Sequence, residues 1–232
     1  MFAFWAKDKK TQHLDQDEEN LVADYLAMQR PVKQKLIQDT ELIAVDFETT
    51  GLDPKKDKII SMGFCPIHEG IIRLADCLHI VIRTQTNLKS ANVAIHGLTD
   101  DVLNQGLSQK QALFKFIELT RGKVIIAHYH NIERSFIQKL AKQILGRTLP
   151  LSFIDSCWFA RQQMRRKQQP ITTDSLRLFN LRRKQGLPNY KAHNALEDAI
   201  STAELYISQQ ASLNIASEKI RLQDLGLFNY KT

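Results

Sequence analysis

The sequence predicts an α/β protein in which helices flank one mixed β-sheet of about five strands. Three strand-like segments, residues 41–48, 57–65 and 71–82, follow one another through connections too short for a crossover helix, which indicates an antiparallel meander. After this meander, helix-like segments alternate with short apolar strands near residues 123–128 and before Asp155. A meander followed by such alternation is typical of a mixed sheet with helices on its faces.

The order of segments predicts a single domain over residues 39–212, with a helical extension at 1–38 and a tail at 213–232. The extension has helix-like spacing at Leu21 and Tyr25, and Pro31 is expected to break or kink it. Its first residues, "MFAFWAKDKK", hold an apolar patch too short for a signal peptide or a membrane span. This patch is expected either to dock on a partner or to pack against the domain.

The cysteines and the charge indicate a soluble cytoplasmic protein with a polyanionic partner. Cys65, Cys77 and Cys157 lack metal-binding spacing and form the odd, scattered set that is typical of reduced thiols. The chain has 32 Lys and Arg against 25 Asp and Glu, a net charge of +7 and a pI near 9.3. Basic clusters around Arg165 and Arg182 are either solvated faces or part of a surface for that partner.

Residues 42–52, "LIAVDFETTGL", combine the most apolar strand of the sequence with two acids, Asp46 and Glu48. Side chains two positions apart on a strand point to the same face, about 6 to 7 Å apart. Two buried carboxylates at this spacing repel each other, and each would be protonated unless a positive charge compensates them. A divalent cation is the simplest compensation, provided that the rest of the chain supplies further ligands.

Two later segments place acids where core residues are expected. Glu133 lies early on a helix predicted over residues 131–145, where an acid that simply favours the helix N-terminus is the ordinary explanation. Asp198 lies on a helix predicted over residues 195–211, among alanines that face the core, and an acid in such surroundings usually has a partner. His193 stands five residues earlier, where helix capping or packing is the simpler alternative to a catalytic role.

These segments together resemble the DEDDh-type 3′–5′ exonuclease family, which has four acids and a histidine and includes the epsilon proofreading subunit of bacterial DNA polymerase III. The resemblance covers about residues 41–210 and rests on "DFETTG", "AHYHNIERSF" and "HNALEDA", with "AIHGLTDD" and "FIDSCWFAR" between them. It implies a ribonuclease H-like fold. The second motif departs from the family, because Tyr129 stands at the usual Asn position and Glu133 at the usual Asp position.

The resemblance also implies two divalent cations, Mg²⁺ or Mn²⁺, since such ions favour oxygen ligands and phosphate. In this arrangement Asp46 bridges both ions, Glu48 and Asp198 complete the first site, and Glu133 holds the second site largely through water. His193 takes the proton from the attacking water, a role for which an imidazole is suited near neutral pH.

For the substrate, the resemblance implies a single-stranded 3′ end that is cleaved to nucleoside 5′-monophosphates. The backbone of Thr49 and Thr50 is expected near the terminal 3′ hydroxyl, Leu52 as a wedge against the terminal base, and His96 beside the terminal nucleotide. Asp155 stays outside the catalytic set, because the family usually treats this position as structural.

The sequence leaves several functional questions open. An active exonuclease competes with a nucleic-acid-binding protein of the same fold that has weak or no turnover, for which Glu133 is the only hint. DNA proofreading or repair competes with RNA trimming, because recognition of a 2′ hydroxyl depends on pocket details. No polymerase domain is present in the sequence, so a proofreading role would require a polymerase in trans.

The tail segment "LGLF", residues 225–228, resembles part of the bacterial peptides that bind sliding clamps. Gln223 is present, but it lies one residue further from the leucines than the short motif places it. The alternative is that Leu225, Leu227 and Phe228 pack onto the domain.

Overall fold

The computed structural model describes residues 13–28, 33–84, 100–190, 193–213 and 215–230. The helices within these ranges are α1 Gln16–Ala27, α2 Asp100–Asn104, α3 Gln109–Thr120, α4 Asn131–Leu145, α5 Ser156–Arg166, α6 Leu178–Lys184 and α7 Ala195–Ala211. The strands are β1 Leu42–Thr49, β2 Ile59–His68, β3 Ile71–Ile72, β4 Leu78–Val81, β5 Val124–Ala127, β6 Leu151–Asp155 and β7 Leu227–Tyr230.

The strands form one mixed sheet in the order β3-β2-β1-β5-β6-β7, with β4 also paired to β2. β1 runs antiparallel to β2 and parallel to β5, β5 runs parallel to β6, and β7 closes the far edge antiparallel to β6. The prediction of an α/β mixed sheet flanked by helices is confirmed. The described residues contain seven strands rather than five, because a 3₁₀ turn at Leu74–Asp76 divides the predicted third strand and the tail adds β7.

The central strand β1 is covered on both faces, as its apolar run predicts. Ile43, Val45 and Phe47 pack in a core cluster that includes residues of α1, α3 and α4. Leu42 and Ala44 pack in a second cluster that includes residues of α7. Because side chains alternate along a strand, Asp46 and Glu48 lie on the same side as the second cluster and face α7.

The helical extension is anchored to the domain. Helix α1 begins with a capping box in which the Asp15 side chain accepts from the Glu18 N–H and the Glu18 carboxylate accepts from the Asp15 N–H. Tyr25 is buried and its hydroxyl donates to the carbonyl of Pro150 at 3.2 Å, while Lys110 of α3 pairs with Glu18 at 2.7 Å. The predicted break at Pro31 and the "MFAFW" patch lie outside the described residues.

The C-terminal segment forms part of the sheet. Leu225 and Leu227 are buried, and Phe228 stacks on the ring of His130 with 4.6 Å between centroids. The structure therefore agrees with the alternative in which "LGLF" packs onto the domain. A clamp would capture these side chains only after they had left the core and β7 had separated from β6.

The basic cluster around Arg182 does not form a single solvent-exposed face. Arg182 is fully buried and its guanidinium donates to Glu204 at 2.6 Å, whereas Arg183 and Lys184 are exposed. All three cysteines are free thiols, as the sequence predicts. None of the helices in the described part of the chain is long and apolar enough to cross a membrane.

Candidate active site

Three carboxylates meet where β1 lies against the start of α7. Oxygen atoms of Asp46, Glu48 and Asp198 all lie within 4.8 Å of one another. The strand supplies two of them through its two-residue alternation, and α7 supplies the third from its first turn. The same-face position predicted for the two strand acids is therefore what the structure shows.

Each acid of the cluster is shifted towards its protonated form. Burial, followed by the charges of Glu133, Asp198 and Glu48, raises the pKa of Asp46 well above its usual value. Burial raises the pKa of Glu48 and of Glu133 to about 8, and that of Asp198 to about 6. Glu133 of α4 thus acts electrostatically on Asp46, although its oxygens are not part of the three-acid cluster.

The donor set fits a divalent cation. Among the described residues, the buried Glu133 Oε2 and Asp198 Oδ1 have no hydrogen-bond partner, which is a costly state for a polar atom. Carboxylate oxygens without thiolate neighbours are the ligands that Mg²⁺ and Mn²⁺ prefer. A cation among these acids would satisfy the orphaned oxygens and lower the pKa values that burial and mutual repulsion raise.

Gly63 on β2 lets α7 approach the acids. It lies opposite Asp46 in the β1–β2 register, and a Cβ at this position would overlap the backbone carbonyl of Ala195. Since Ala195 is the first residue of α7, the missing side chain allows the helix to seat Asp198 beside Asp46. An isolated glycine inside the strand pattern "IISMGFC" was the sequence signal for this close approach.

His193 stands at the entrance of the cluster in a left-handed backbone conformation, with φ of 71°. Its N–H donates to Asp198 Oδ2 at 3.0 Å. The neighbouring Asn194 caps α7, because its side chain accepts from the N–H groups of Leu196 and Glu197. The His193 side chain is exposed and lines the same cleft as Asp46 and Asp198, so neither capping nor core packing accounts for it.

The turn that leads into α4 is fixed by Asp155 at the end of β6. Its carboxylate accepts from the N–H groups of Tyr129 at 3.3 Å and His130 at 3.0 Å, and it also caps α5 by accepting from Trp158 N–H at 2.9 Å. Burial acts to raise the pKa of Asp155, but these hydrogen bonds and that of the His130 ring hold it below its usual value. Both carboxylate oxygens are thus used to hold the backbone from which Glu133 reaches the cluster.

The buried His130 extends this network to the C-terminal strand. Its Nδ1 is bound to Asp155 Oδ2, and its Nε2 lies 2.7 Å from the hydroxyl of Tyr230 on β7. Sequence reasoning did not find this role for His130 or Tyr230, because the two residues are 100 positions apart.

His128 was also missed, and it joins β5 to the segment before α6. Its Nε2 lies 2.9 Å from the carbonyl of Leu176, and its Nδ1 lies 2.9 Å from Ser156 Oγ. Burial lowers the pKa of His128, which favours the neutral ring. A carbonyl only accepts, so Nε2 donates to Leu176. Ser156 Oγ lies beside Nδ1 and also donates to the carbonyl of Ala127 at 3.3 Å. The histidine pair in "AHYH", directly after a strand, was the available signal.

The residues predicted to contact a 3′ end surround the first turn after β1. Thr49 Oγ donates to the carbonyl of Gly51 at 2.8 Å, and Thr50 Oγ donates to Asp57 at 3.1 Å. Leu52 is 78% exposed, so its side chain is accessible to a ligand. His96 lies outside the described residues.

The α/β sheet, the buried cluster of Asp46, Glu48 and Asp198, and a histidine that lines the adjoining cleft are features that are typical of an enzyme that uses a divalent cation. A family model described as exonuclease, RNase_T, matches residues 43–206. The chain therefore belongs to the exonuclease family.

Curated relatives are much longer than this chain. A DNA polymerase III of PolC type from Thermotoga petrophila is 28% identical over 170 residues, which is 73% of this chain and 12% of that protein. The 3′-5′ exonuclease DinG from Staphylococcus saprophyticus is 28% identical over 163 residues, 70% of this chain and 17% of that protein. The chain thus spans less than a fifth of the length of these relatives.

Solved structures share the fold. The nuclease domain of 3′hExo, a DEDDh family member bound to rAMP, has a TM-score of 0.64 at 15% identity and covers 78% of this chain and 94% of its own. Exonuclease X in complex with 5′ overhanging duplex DNA has a TM-score of 0.57 at 18% identity, with coverage of 80% and 99%. The predicted ribonuclease H-like fold is thereby confirmed.

Proposed function

We propose that this protein is a metal-dependent 3′–5′ exonuclease that hydrolyses single-stranded 3′ ends to nucleoside 5′-monophosphates. The observation that carries this proposal is the cluster of Asp46, Glu48 and Asp198, whose oxygens lie within 4.8 Å of one another. Glu133 and His193 join the same site, in a chain that belongs to the exonuclease family.

The acids would hold two divalent cations, Mg²⁺ or Mn²⁺. Asp46 is suited to bridge them because its pKa responds to all three other acids, and Glu48 and Asp198 would complete one site while Glu133 serves the other. When bound, the cations would activate water and stabilise the charge that develops on the phosphate and the leaving oxygen. Glu133 has one methylene more than aspartate, so it can reach a cation or a water on that cation.

His193 would accept the proton of the attacking water. Its side chain is exposed in the cleft, while its backbone is tied to Asp198 through a 3.0 Å hydrogen bond. This hydrogen bond holds the backbone of His193 beside Asp198. An imidazole at this position is suited to act as a general base.

The 3′-terminal nucleotide would lie beside the turn after β1. The Thr49–Thr50 backbone would approach the 3′ hydroxyl, the exposed Leu52 would wedge against the base, and His96 would contact the same nucleotide. Contacts of this kind read backbone and base faces, so sequence preference should be weak. The PolC-type relatives, which are DNA polymerases by name, support DNA as the substrate and association with a polymerase.

The test is gel analysis of 5′-labelled single-stranded DNA and RNA of matched sequence, with Mn²⁺, Mg²⁺ or EDTA. We expect a ladder that shortens from the 3′ end, requires metal and is absent in Asp46→Ala and Asp198→Ala. Asp24→Ala, which changes an exposed acid on α1, is the matched control and should cleave normally. The faster substrate identifies DNA or RNA as the preferred polymer.

One observation favours a second candidate, a nucleic-acid-binding protein with weak turnover: the second-motif acid is Glu133 rather than aspartate. No shortening with any metal, together with retained binding of the labelled strand, would replace the exonuclease proposal with this one.

A further inference from the structure

The cleft that holds the acids continues well beyond them. It has a volume of about 1430 Å³, and its lining includes Asp46, His193 and Asp198. Residues of α5 and of the segment before α6 also line it, among them Arg161 and Arg177. A single nucleotide at the acids would occupy only a fraction of this volume.

Tyr129 lines the same cleft and is largely open to solvent. It is 53% exposed and lines the cleft, although a tyrosine usually buries most of its ring. Its backbone has a left-handed φ of 69°, and its N–H donates to Asp155 at 3.3 Å. This conformation is unfavourable for a non-glycine residue, so the buried carboxylate and not the tyrosine's own preference sets the direction of the side chain.

The lining of the cleft includes two exposed arginines. Arg161 is an exposed residue on the middle of α5, and Arg177 is an exposed residue directly before α6. Arg177 Nε lies 3.6 Å from Asp174, but both side chains are more than 70% exposed, so this ion pair is weak. Each guanidinium can therefore turn to an anion that enters the cleft.

We propose that Tyr129, Arg161 and Arg177 form a binding path for single-stranded nucleic acid on the 5′ side of the scissile phosphate. Tyr129 stacks on a base, and the two arginines contact successive backbone phosphates. An aromatic platform followed by cations is the arrangement that holds single strands with little sequence preference. This inference rests on the proposed exonuclease function, because it extends the same site along the substrate.

The path is tested first by binding. The probe is 5′-fluorescein-labelled dT12, measured by fluorescence anisotropy in an Asp46→Asn background that prevents hydrolysis. Tyr129→Ala should raise Kd about fivefold or more, and Tyr129→Phe should stay within about twofold of the parent because the ring face remains. Equal affinity of the Ala and Phe variants would overturn the stacking role.

The arginines are tested by salt dependence. Each phosphate contact to a single strand contributes about 0.7 to the slope of log K against log salt concentration. Arg161→Ala and Arg177→Ala should therefore each lower the magnitude of this slope by about 0.7. Arg147→Ala, at the opposite end of α4 from Tyr129, is the matched control and should leave the slope unchanged. If Arg161→Ala and Arg177→Ala leave the slope unchanged, as the control does, the proposed phosphate contacts are wrong.

Substrate length separates this inference from the proposed function. Both arginines are replaced by alanine in a protein that keeps Asp46. The kcat/KM for dT12 should then fall about tenfold more than the kcat/KM for dT2. The reason is that dT2 has no phosphates further along the path. If the parent protein cleaves neither substrate, the exonuclease proposal fails. If the parent cleaves both and the double variant keeps the parental ratio, the path is wrong and the exonuclease proposal stands.

Discussion

Glu133, which lies near enough to raise the pKa of Asp46, has one methylene more than the aspartate usual in the family. It is buried, its Oε2 has no hydrogen-bond partner among the described residues, and burial raises its pKa to about 8. The turn before it is held by Asp155, so the side chain starts from a fixed backbone. For the proposed binding of a cation, we expect the negative charge of Glu133 to matter more than the length of its side chain.

We expect Glu133→Asp to keep its cleavage rate within about tenfold of the parent, because the shorter acid can still reach a cation through water. Glu133→Gln should lose much more, since a neutral amide is a poor cation ligand. The measurement is the Mn²⁺-dependent rate on 5′-labelled single-stranded DNA, with the exposed Glu118→Gln as control. Equal losses in Asp and Gln variants would mean that the site requires the longer side chain.

The acid cluster also makes stability depend on pH and metal. Glu48 and Glu133 have folded pKa values of about 8 against ordinary values of 4.5, so the folded state binds more protons than the unfolded state between these limits. The two protonated carboxyl groups therefore make their full contribution to stability below about pH 4.5. This contribution decreases as the pH rises and is lost as the pH passes 8. In EDTA, the Tm should fall across this range, and Mg²⁺ should restore it at pH 8.

The measurement is Tm against pH from 5 to 8.5, compared with the Glu48→Gln, Glu133→Gln double variant, in which other titrating groups are unchanged. As the pH rises, the Tm of the double variant should fall by several degrees less than the Tm of the parent protein. A change of about 1 kcal/mol in stability corresponds to roughly 2 to 4 °C at this chain length. Parallel curves would show that the two acids are ionised without metal in the folded protein.

Helix α7 brings Asp198 to the sheet, and His193 lies just before this helix. The position of α7 depends on a glycine in β2. Gly63 lies opposite Asp46, and the carbonyl of Ala195 occupies the space that a Cβ would need. The carbonyl belongs to helix backbone, so a larger residue would displace the start of α7 rather than one flexible side chain.

Gly63→Ala should therefore reduce metal-dependent cleavage at least about 100-fold and lower stability by about 1 to 3 kcal/mol, as overpacking does. Gly70→Ala is the control: its φ of 77° strains an alanine, but no atom lies within 4 Å of the new Cβ. It should cost about 1 kcal/mol in stability and leave cleavage intact. Normal cleavage by Gly63→Ala would show that α7 adjusts without disturbing the acids.

Across the whole molecule, the C-terminal strand supports the site through the network at the turn before α4. β7 covers the edge of β6, and Tyr230 contacts the ring of His130, which binds Asp155. Arg134 of α4 also lies over the Tyr230 ring at 4.5 Å. The tail is thus integrated with the core at residues 227–230.

Deletion of residues 227–232 should lower the Tm by more than 10 °C and reduce soluble yield, because it exposes the edge of β6 and removes Leu227 and Phe228 from the core. Tyr230→Phe keeps the ring and loses one hydrogen bond, so its Tm should fall by about 2 to 4 °C. An unchanged Tm in the deletion would instead favour the detachable clamp-binding peptide.

Local sequence signals predicted much of the fold and the shared face of two strand acids. Helices at 131–145 and 195–211 have the predicted bounds, because apolar spacing and end signals lie within each segment. Asp46 and Glu48 share a face because strand geometry alone requires it. The split of the predicted third strand at Leu74–Asp76 was missed, since its apolar pattern continues through the turn.

The amino-acid sequence by itself determined the class of fold and the family to which the chain belongs. Only the tertiary structure decided that β7 completes the sheet, that Arg182 is buried, and that Asp155 holds the turn before Glu133. Periodicity, capping and strand alternation act over a few residues and are readable from the sequence. Contacts such as that of His130 with Tyr230 join residues far apart, and packing energy in the folded chain selects them.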